Sequence, residues 1–192
     1  SPLSGKEQSP RFRVKDEFDN VLAENWIWPR EDPVWRWETY MNPILYFSPD
    51  CSKFVNATLN QCGIIETFSF PGLERIACKE YFVPEFTTKV TTTGYSIKYK
   101  HERNGFIDIC TTDSEIWAIW DGATDWSVPD EERPYPTKNT IAVFDWDLNL
   151  KRTIKLDCNV INLAYDESSN VLYLVALSKA GDSYLGRIFL DK

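Results

Sequence analysis

The sequence predicts an all-β protein made of repeated antiparallel sheets, and three observations carry that prediction. Stretches at 44–82, 105–157 and 160–190 of the 192-residue chain follow one order of strand, turn, strand, turn or loop, strand. Their strand segments are short runs rich in β-branched and aromatic side chains, bounded by Gly, Pro, Asp and Ser. The period, about 45 residues with four short strands per unit, is that of a β-propeller blade.

The elements follow in order. RFRVKDEFDNVLAENWIW (11–28) aligns with TIAVFDWDLNLKRTIKLD (140–157), placing Asp16 over Asp145, Val14 over Val143 and Asn20 over Asn149, so it reads as the last two strands of a preceding unit. The first full unit runs ILYFS, the turn Pro49–Lys53, FVNATLN, IIETFSF, Pro71-Gly72 and LERIACKEYF. The connector KYKHERNG leads to the second unit, GFIDICTT, IWAIWDG, a long insert, TIAVFDW and LKRTIKLD. The third gives VINLAYD, VLYLVALS and SYLGRIFLD. The domain reading is one partial propeller over 1–192: 11–28 ends a preceding blade, 43–85 and 105–157 are blades, and 160–190 is a last blade lacking its outer strand. About three blades leave two open sheet edges, which pair with other chains unless covered. The missing blades are therefore expected from the same chain or from a second copy.

Composition bounds the function. With 43% hydrophobic and 15% aromatic residues the chain can bury a large core. No apolar run is long enough to span a bilayer, and SPLSGKEQSP lacks the apolar core of a signal peptide. A net charge of −8, with Lys and Arg scattered, argues against nucleic acid as a partner, because phosphate binding needs a basic face.

Residues that could carry chemistry are few. Cys51, Cys62, Cys78, Cys110 and Cys158 include no CxxC pair, so zinc spacing is absent; Cys51 and Cys62 fall in turns of one blade and could approach each other, but free thiols are the main reading. The single histidine, His101, sits in a polar connector and reads as solvated. No nucleophile elbow, phosphate loop or EF-hand appears, and no cofactor or metal is expected. Asp16, Asp50, Asp113, Asp145, Asp147 and Asp166 recur at corresponding turns, where Asp accepts bonds from the backbone two residues on. They read as turn formers. Asn56-Ala57-Thr58 matches a glycosylation sequon but lies in a strand and reads as coincidence.

Two aromatic segments stand out. The excursion Asp121–Asn139 carries Trp126 and Tyr135 beside Asp121, Asp125, Asp130, Glu131 and Glu132, and loops of this length are often functional. WIWPREDPVWRWETY (26–40) alternates Trp26 with Trp28 and Trp35 with Trp37, so each pair shares a face of an extended chain; such faces pack blades together or form a binding platform.

The segments YFSPDCSKFVNATLNQCGIIETFSF, GFIDICTTDSEIWAIWDG and IAVFDWDLNLKRTIKLDCNVINLAYDESSNVLYLV resemble the blades of the TolB-like six-bladed β-propeller family, over 43–190 and more weakly over 11–28. The resemblance implies the C-terminal half of a six-bladed ring, of a bacterial exported or cell-envelope lipoprotein type, and transfers no catalytic residues. Cys51 and Leu148 stand where glycine is usual in that family, so looser turns are expected there.

Two functions fit. The first is a non-enzymatic binding module for a peptide, glycan or protein, with Trp120, Asp121, Trp126 and Tyr135 as the contacts. The alternative is a carbohydrate-active hydrolase or lyase using carboxylates at the propeller funnel, which needs two acids facing each other across a cleft.

Overall fold

The structure is a computed structural model and describes residues 10–28, 43–59, 62–83, 85–92, 94–100, 103–121, 132 and 137–190. Fifteen strands are formed among them, and all paired strands are antiparallel. β1 (Phe12–Lys15) and β2 (Val21–Asn25) make a hairpin. β3 (Pro43–Phe47), β4 (Lys53–Thr58), β5 (Gly63–Ser69) and β6 (Arg75–Phe82) form the first four-stranded sheet, in sequence order. A separate hairpin follows, β7 (Phe86–Thr91) and β8 (Gly94–Tyr99). β9 (Phe106–Thr111), β10 (Ile116–Trp120), β11 (Thr140–Phe144) and β12 (Leu150–Lys155) form the second four-stranded sheet. β13 (Asn159–Asp166), β14 (Val171–Leu177) and β15 (Ser183–Phe189) form a three-stranded sheet.

Each sheet is a meander: its sequential strands are joined by short turns, except β10 and β11, which pair directly although the long 121–139 segment connects them. The sheets then stack face on face. Middle strands are buried on both sides, which is why β4, β5, β10 and β11 read as nearly continuous apolar runs. Phe12, Val14 and Ala23 of the hairpin pack on Phe54 and Phe68, whose rings stack at 5.0 Å. On the other face of that sheet Val55, Ala57 and Ile65 meet Ile116, Ala118 and Phe144. The far face of the second sheet, with Trp117, Ile119, Ile141 and Val143, packs on Val160, Leu163, Leu172 and Leu174. Trp117 stacks on Tyr165 at 4.9 Å across this second interface. The protein is all-β: among the described residues antiparallel sheets stack face on face without closing a ring, an arrangement consistent with part of a propeller.

Polar ties cross these interfaces. Asp108, 6% exposed on β9, accepts bonds from Tyr46 Oη on β3 (3.2 Å) and from Asn162 Nδ2 (3.3 Å) and the Leu163 amide (2.9 Å) on β13, joining the first strands of all three sheets. Glu66, buried on β5, is paired with Arg11 of the N-terminal hairpin, and Arg75 approaches it at 3.4 Å. Gly105 is required at the entry to β9, since a Cβ there would run into the carbonyl oxygens of Thr58 and Cys62.

Several sequence expectations are settled by this architecture. The turns at Cys51 and Leu148 are not loosened by the missing glycines: both residues adopt positive φ, 56° and 60°, and close their turns with amide bonds to Ser48 O (2.8 Å) and Asp145 O (3.0 Å). All five cysteines are free, with Cys51 exposed and Cys62 buried. Burial pushes the thiols of Cys78 and Cys110 up to about 11 and about 12. Asn56 is 1% exposed, so its amide is closed to a glycosylating enzyme in the folded state. Between the first two units, where the sequence reading placed only the connector KYKHERNG, the structure has the β7–β8 hairpin. His101, Trp35 and Trp37 lie outside the described residues.

Candidate functional site

A hollow of about 180 Å³ opens between the outer edge of the first sheet and the face of the second. Its origin is legible in the cross-strand rows. Along β10 the residues facing the first sheet are Ile116, Ala118 and Trp120, and their partners on β11 are Phe144, Ala142 and Thr140. Leu150 and Thr153 of β12 pair with Phe144 and Ala142. The middle row, Ala118–Ala142–Thr153, is small, while Phe144–Leu150 and Trp120–Thr140 stand tall on either side. A hollow between bulky rows results, since cross-strand neighbours on one face lie side by side.

Phe106, Ala142 and Phe144 form its floor and are at most 8% exposed. Tyr81, on β6, and Leu150 stand at the mouth, 47% and 55% exposed. Four rings ring the site: Trp120 lies 4.9 Å from Phe106 and 5.4 Å from Tyr81, and Tyr81 lies 6.3 Å from Phe144. Burial raises the Tyr81 phenol above its usual range, consistent with its apolar surroundings. Among the described residues no charged side chain lines the hollow. Gly63 seats Trp120, because a Cβ there would stand 2.7 Å from the indole Cη2 and 2.9 Å from Phe82.

Of the contact residues expected from the sequence, Trp120 therefore walls a real hollow. Asp121 sits just behind it, 2% exposed, with its amide bonded to Gly105 O (3.1 Å) and its carboxylate accepting from Asn104 Nδ2 (3.0 Å). It anchors the end of β10 from beneath rather than presenting a carboxylate to solvent. Trp126 and Tyr135 lie outside the described residues. Tyr81, Phe144 and Leu150 are site residues the sequence reading did not name; the signal for the hollow was the small residue between large ones in IWAIW and TIAVF, which reads as ordinary strand until Tyr81 of the neighbouring sheet is placed over it.

Four of the six repeated carboxylates, Asp16, Asp50, Asp145 and Asp166, are committed to their own turns. Asp16 Oδ1 accepts from the amides of Phe18 and Asn20 (both 2.9 Å) and its Oδ2 from Asn20 Nδ2 (2.9 Å). Asp145 makes the matching bonds to Asn149, at 2.8 and 3.0 Å. Asp50 accepts from Ser48 Oγ and from Ser52, and Asp166 from Ser168 and Ser169. The first-named donors, Asn20, Ser48, Asn149 and Ser168, hold Asp16, Asp50, Asp145 and Asp166 below the usual carboxylate range, Asp50 at about 2. A glycosidase acid needs a raised value, so these four are unsuited to that role. No cluster of potential metal ligands occurs among the described residues, and no helix there is long and apolar enough to cross a membrane.

No protein-family model matches the chain, and no curated protein does. Among solved structures the chain is similar to the Dos1 propeller, at 15% identity over 78% of this chain and 36% of that one, with a TM-score of 0.41. It is also similar to the Cps50 (Swd1) β-propeller domain of Myceliophteria thermophila, at 9% identity over 74% and 52%, TM-score 0.28. A third is the Pan2 WD40 domain of Neurospora crassa, at 11% identity over 69% and 43%, TM-score 0.27. The chain spans about a third to a half of the length of these chains.

Proposed function

We propose that this chain is a non-enzymatic interaction module that binds a peptide or protein segment at the hollow walled by Tyr81 and Trp120. One observation carries the reading: a preformed apolar depression whose floor is fixed core and whose rim, Tyr81 and Leu150, is half exposed. Recognition sites are concave and mostly apolar, and aromatic anchors dominate their energetics. On sequence grounds alone the contact surface extends to Trp126 and Tyr135. On the SPDC and VFDW segments alone, the reading places the chain with the TolB-like six-bladed propellers and with a bacterial cell-envelope or exported address, which fractionation of the native host would test.

The experiment is affinity selection of a displayed random-peptide library on the purified protein. Enriched peptides are expected to bind the native chain and to lose binding to Trp120→Ala and Tyr81→Ala, with circular dichroism unchanged. Enriched peptides that bind both variants as well as the native chain would overturn the site, and an absence of enrichment would overturn the function.

A further inference from the structure

We infer that the hollow is a socket for one aromatic ring, the Phe or Trp side chain of a bound segment, an inference that rests on the interaction reading above. Size is the first argument. At about 180 Å³ the space is slightly larger than the roughly 150 Å³ apolar cavity that takes up benzene. That is the scale of a single ring. Chemistry is the next argument: among the described residues the polar lining side chains are the Tyr81 phenol, Thr140 and Thr153, which offer a charged or strongly polar group little compensation for its lost water. Tyr81, Phe106, Trp120 and Phe144 surround the space with ring faces and edges, the surroundings in which an incoming ring finds edge-to-face partners.

Continuity with the interface between the first two sheets supplies the last argument. Phe106, Ala142 and Phe144 belong to the apolar cluster buried between those sheets, with Trp120 packed against it. The socket is the outer end of that core, left open where the Ala118–Ala142–Thr153 row is small. A ring entering past Tyr81 and Leu150 completes the core as an interior side chain would. Gly63 is a positioning residue for the socket, since it lets the edge of the Trp120 indole approach β5 where a Cβ would collide.

The test uses indole as the probe, with isobutanol as an aliphatic control. Indole is expected to saturate at one equivalent per chain by calorimetry and to shift the Trp120 side-chain N–H and Ala142 methyl resonances, with isobutanol weaker. Ala142→Leu, which fills the floor, should weaken indole binding by about tenfold or more, the scale of removing an apolar cavity's vacancy. Should Ala142→Leu fail to fold, Thr153→Leu at the exposed rim narrows the mouth without touching the floor and is expected to weaken binding in the same direction. Non-saturable indole uptake, shifts remote from Trp120, or tight binding retained in the folded variants would overturn the socket. If selected peptides bind but neither indole nor Ala142→Leu affects them, the socket fails while the interaction reading stands. If indole binds as expected and no peptide is ever enriched, the socket stands and the interaction reading fails.

Discussion

Cys51 and Leu148 hold the left-handed backbone that glycine adopts without cost, and the consequences of restoring glycine differ by burial. A non-glycine residue at φ of 56° or 60° carries about 1–2 kcal/mol of steric cost, partly offset by the extra freedom glycine loses on folding. Cys51 is exposed, so Cys51→Gly is expected to raise stability by about 0.5–1 kcal/mol in urea denaturation. Leu148 is 0% exposed within the core between the first two sheets. There Leu148→Gly should cost about 2 kcal/mol or more, because the lost burial outweighs the relieved strain. The same turns set the acid response. Asp16, Asp50, Asp145 and Asp166 have folded values below the unfolded ones, Asp50 at about 2. A depressed carboxylate contributes stability that is present above its unfolded value and disappears as pH falls through the folded one. Stability is thus expected to fall from the ordinary Asp range near 3.8 down to about 2, and Asp50→Asn should flatten that limb in pH-dependent urea melts. A variant with an unchanged acid limb would show that the Ser48 and Ser52 bonds form equally in the unfolded chain.

Between elements, Asp108 is the group that ties three sheets together. Its acceptors hold the Tyr46 hydroxyl, Asn162 and the buried Leu163 amide, and the first of these, with burial ahead of it, raises the Tyr46 phenol. Asp108→Ala would leave the Leu163 N–H without its acceptor and cut the bridge to β3, a loss of about 3 kcal/mol for a buried charge-assisted set. Tyr46→Phe should cost about 1 kcal/mol, since it removes one bond from a half-exposed partner. Hydrogen exchange at Leu163 checks the assignment: it should accelerate in Asp108→Ala and hardly change in Tyr46→Phe. Asp108 also shows where the sequence stops being legible. GFIDICTT announces a strand through its β-branched and aromatic content, but nothing local says that its one carboxylate faces two other sheets rather than a turn. The turn carboxylates were legible because their partners lie within four residues, as Asp16–Asn20 and Asp145–Asn149 show. The β7–β8 hairpin is hard to read from the sequence although FTTKV and YSIKY alternate, because it lies between two units and has no counterpart in the repeat. Trp120 was legible as an aromatic at the end of a strand, whereas the hollow beside it depends on Tyr81, some forty residues earlier in the sequence.

Across the whole molecule, the stacking rule predicts which faces tolerate charge. In the first sheet the face toward the second carries the row Ala57–Ile65, and in the second sheet the face toward the third carries Ile119–Ile141. In the third sheet Leu172 and Leu174 face back toward the second. Alternation along the strand then turns Tyr173 and Val175 outward, with Arg187 and Leu185 as their cross-strand partners. The row Val175–Leu185 is thus the counterpart of Ala57–Ile65 with no sheet over it among the described residues: Leu185 is 86% exposed where Ile65 is 0%. A lysine at the two positions should separate them completely. Leu185→Lys moves a group already in water and is expected to change stability by no more than about 0.5 kcal/mol. Ile65→Lys forces an ammonium into the apolar cluster that holds Val55 and Phe106, a burial the fold cannot accommodate, and the chain should fail to melt cooperatively. Thermal unfolding followed by far-ultraviolet circular dichroism reads both. If Leu185→Lys destabilised the isolated chain as severely as Ile65→Lys, the outer face of the third sheet would be covered in solution, and the open stack would not be the state of the free protein.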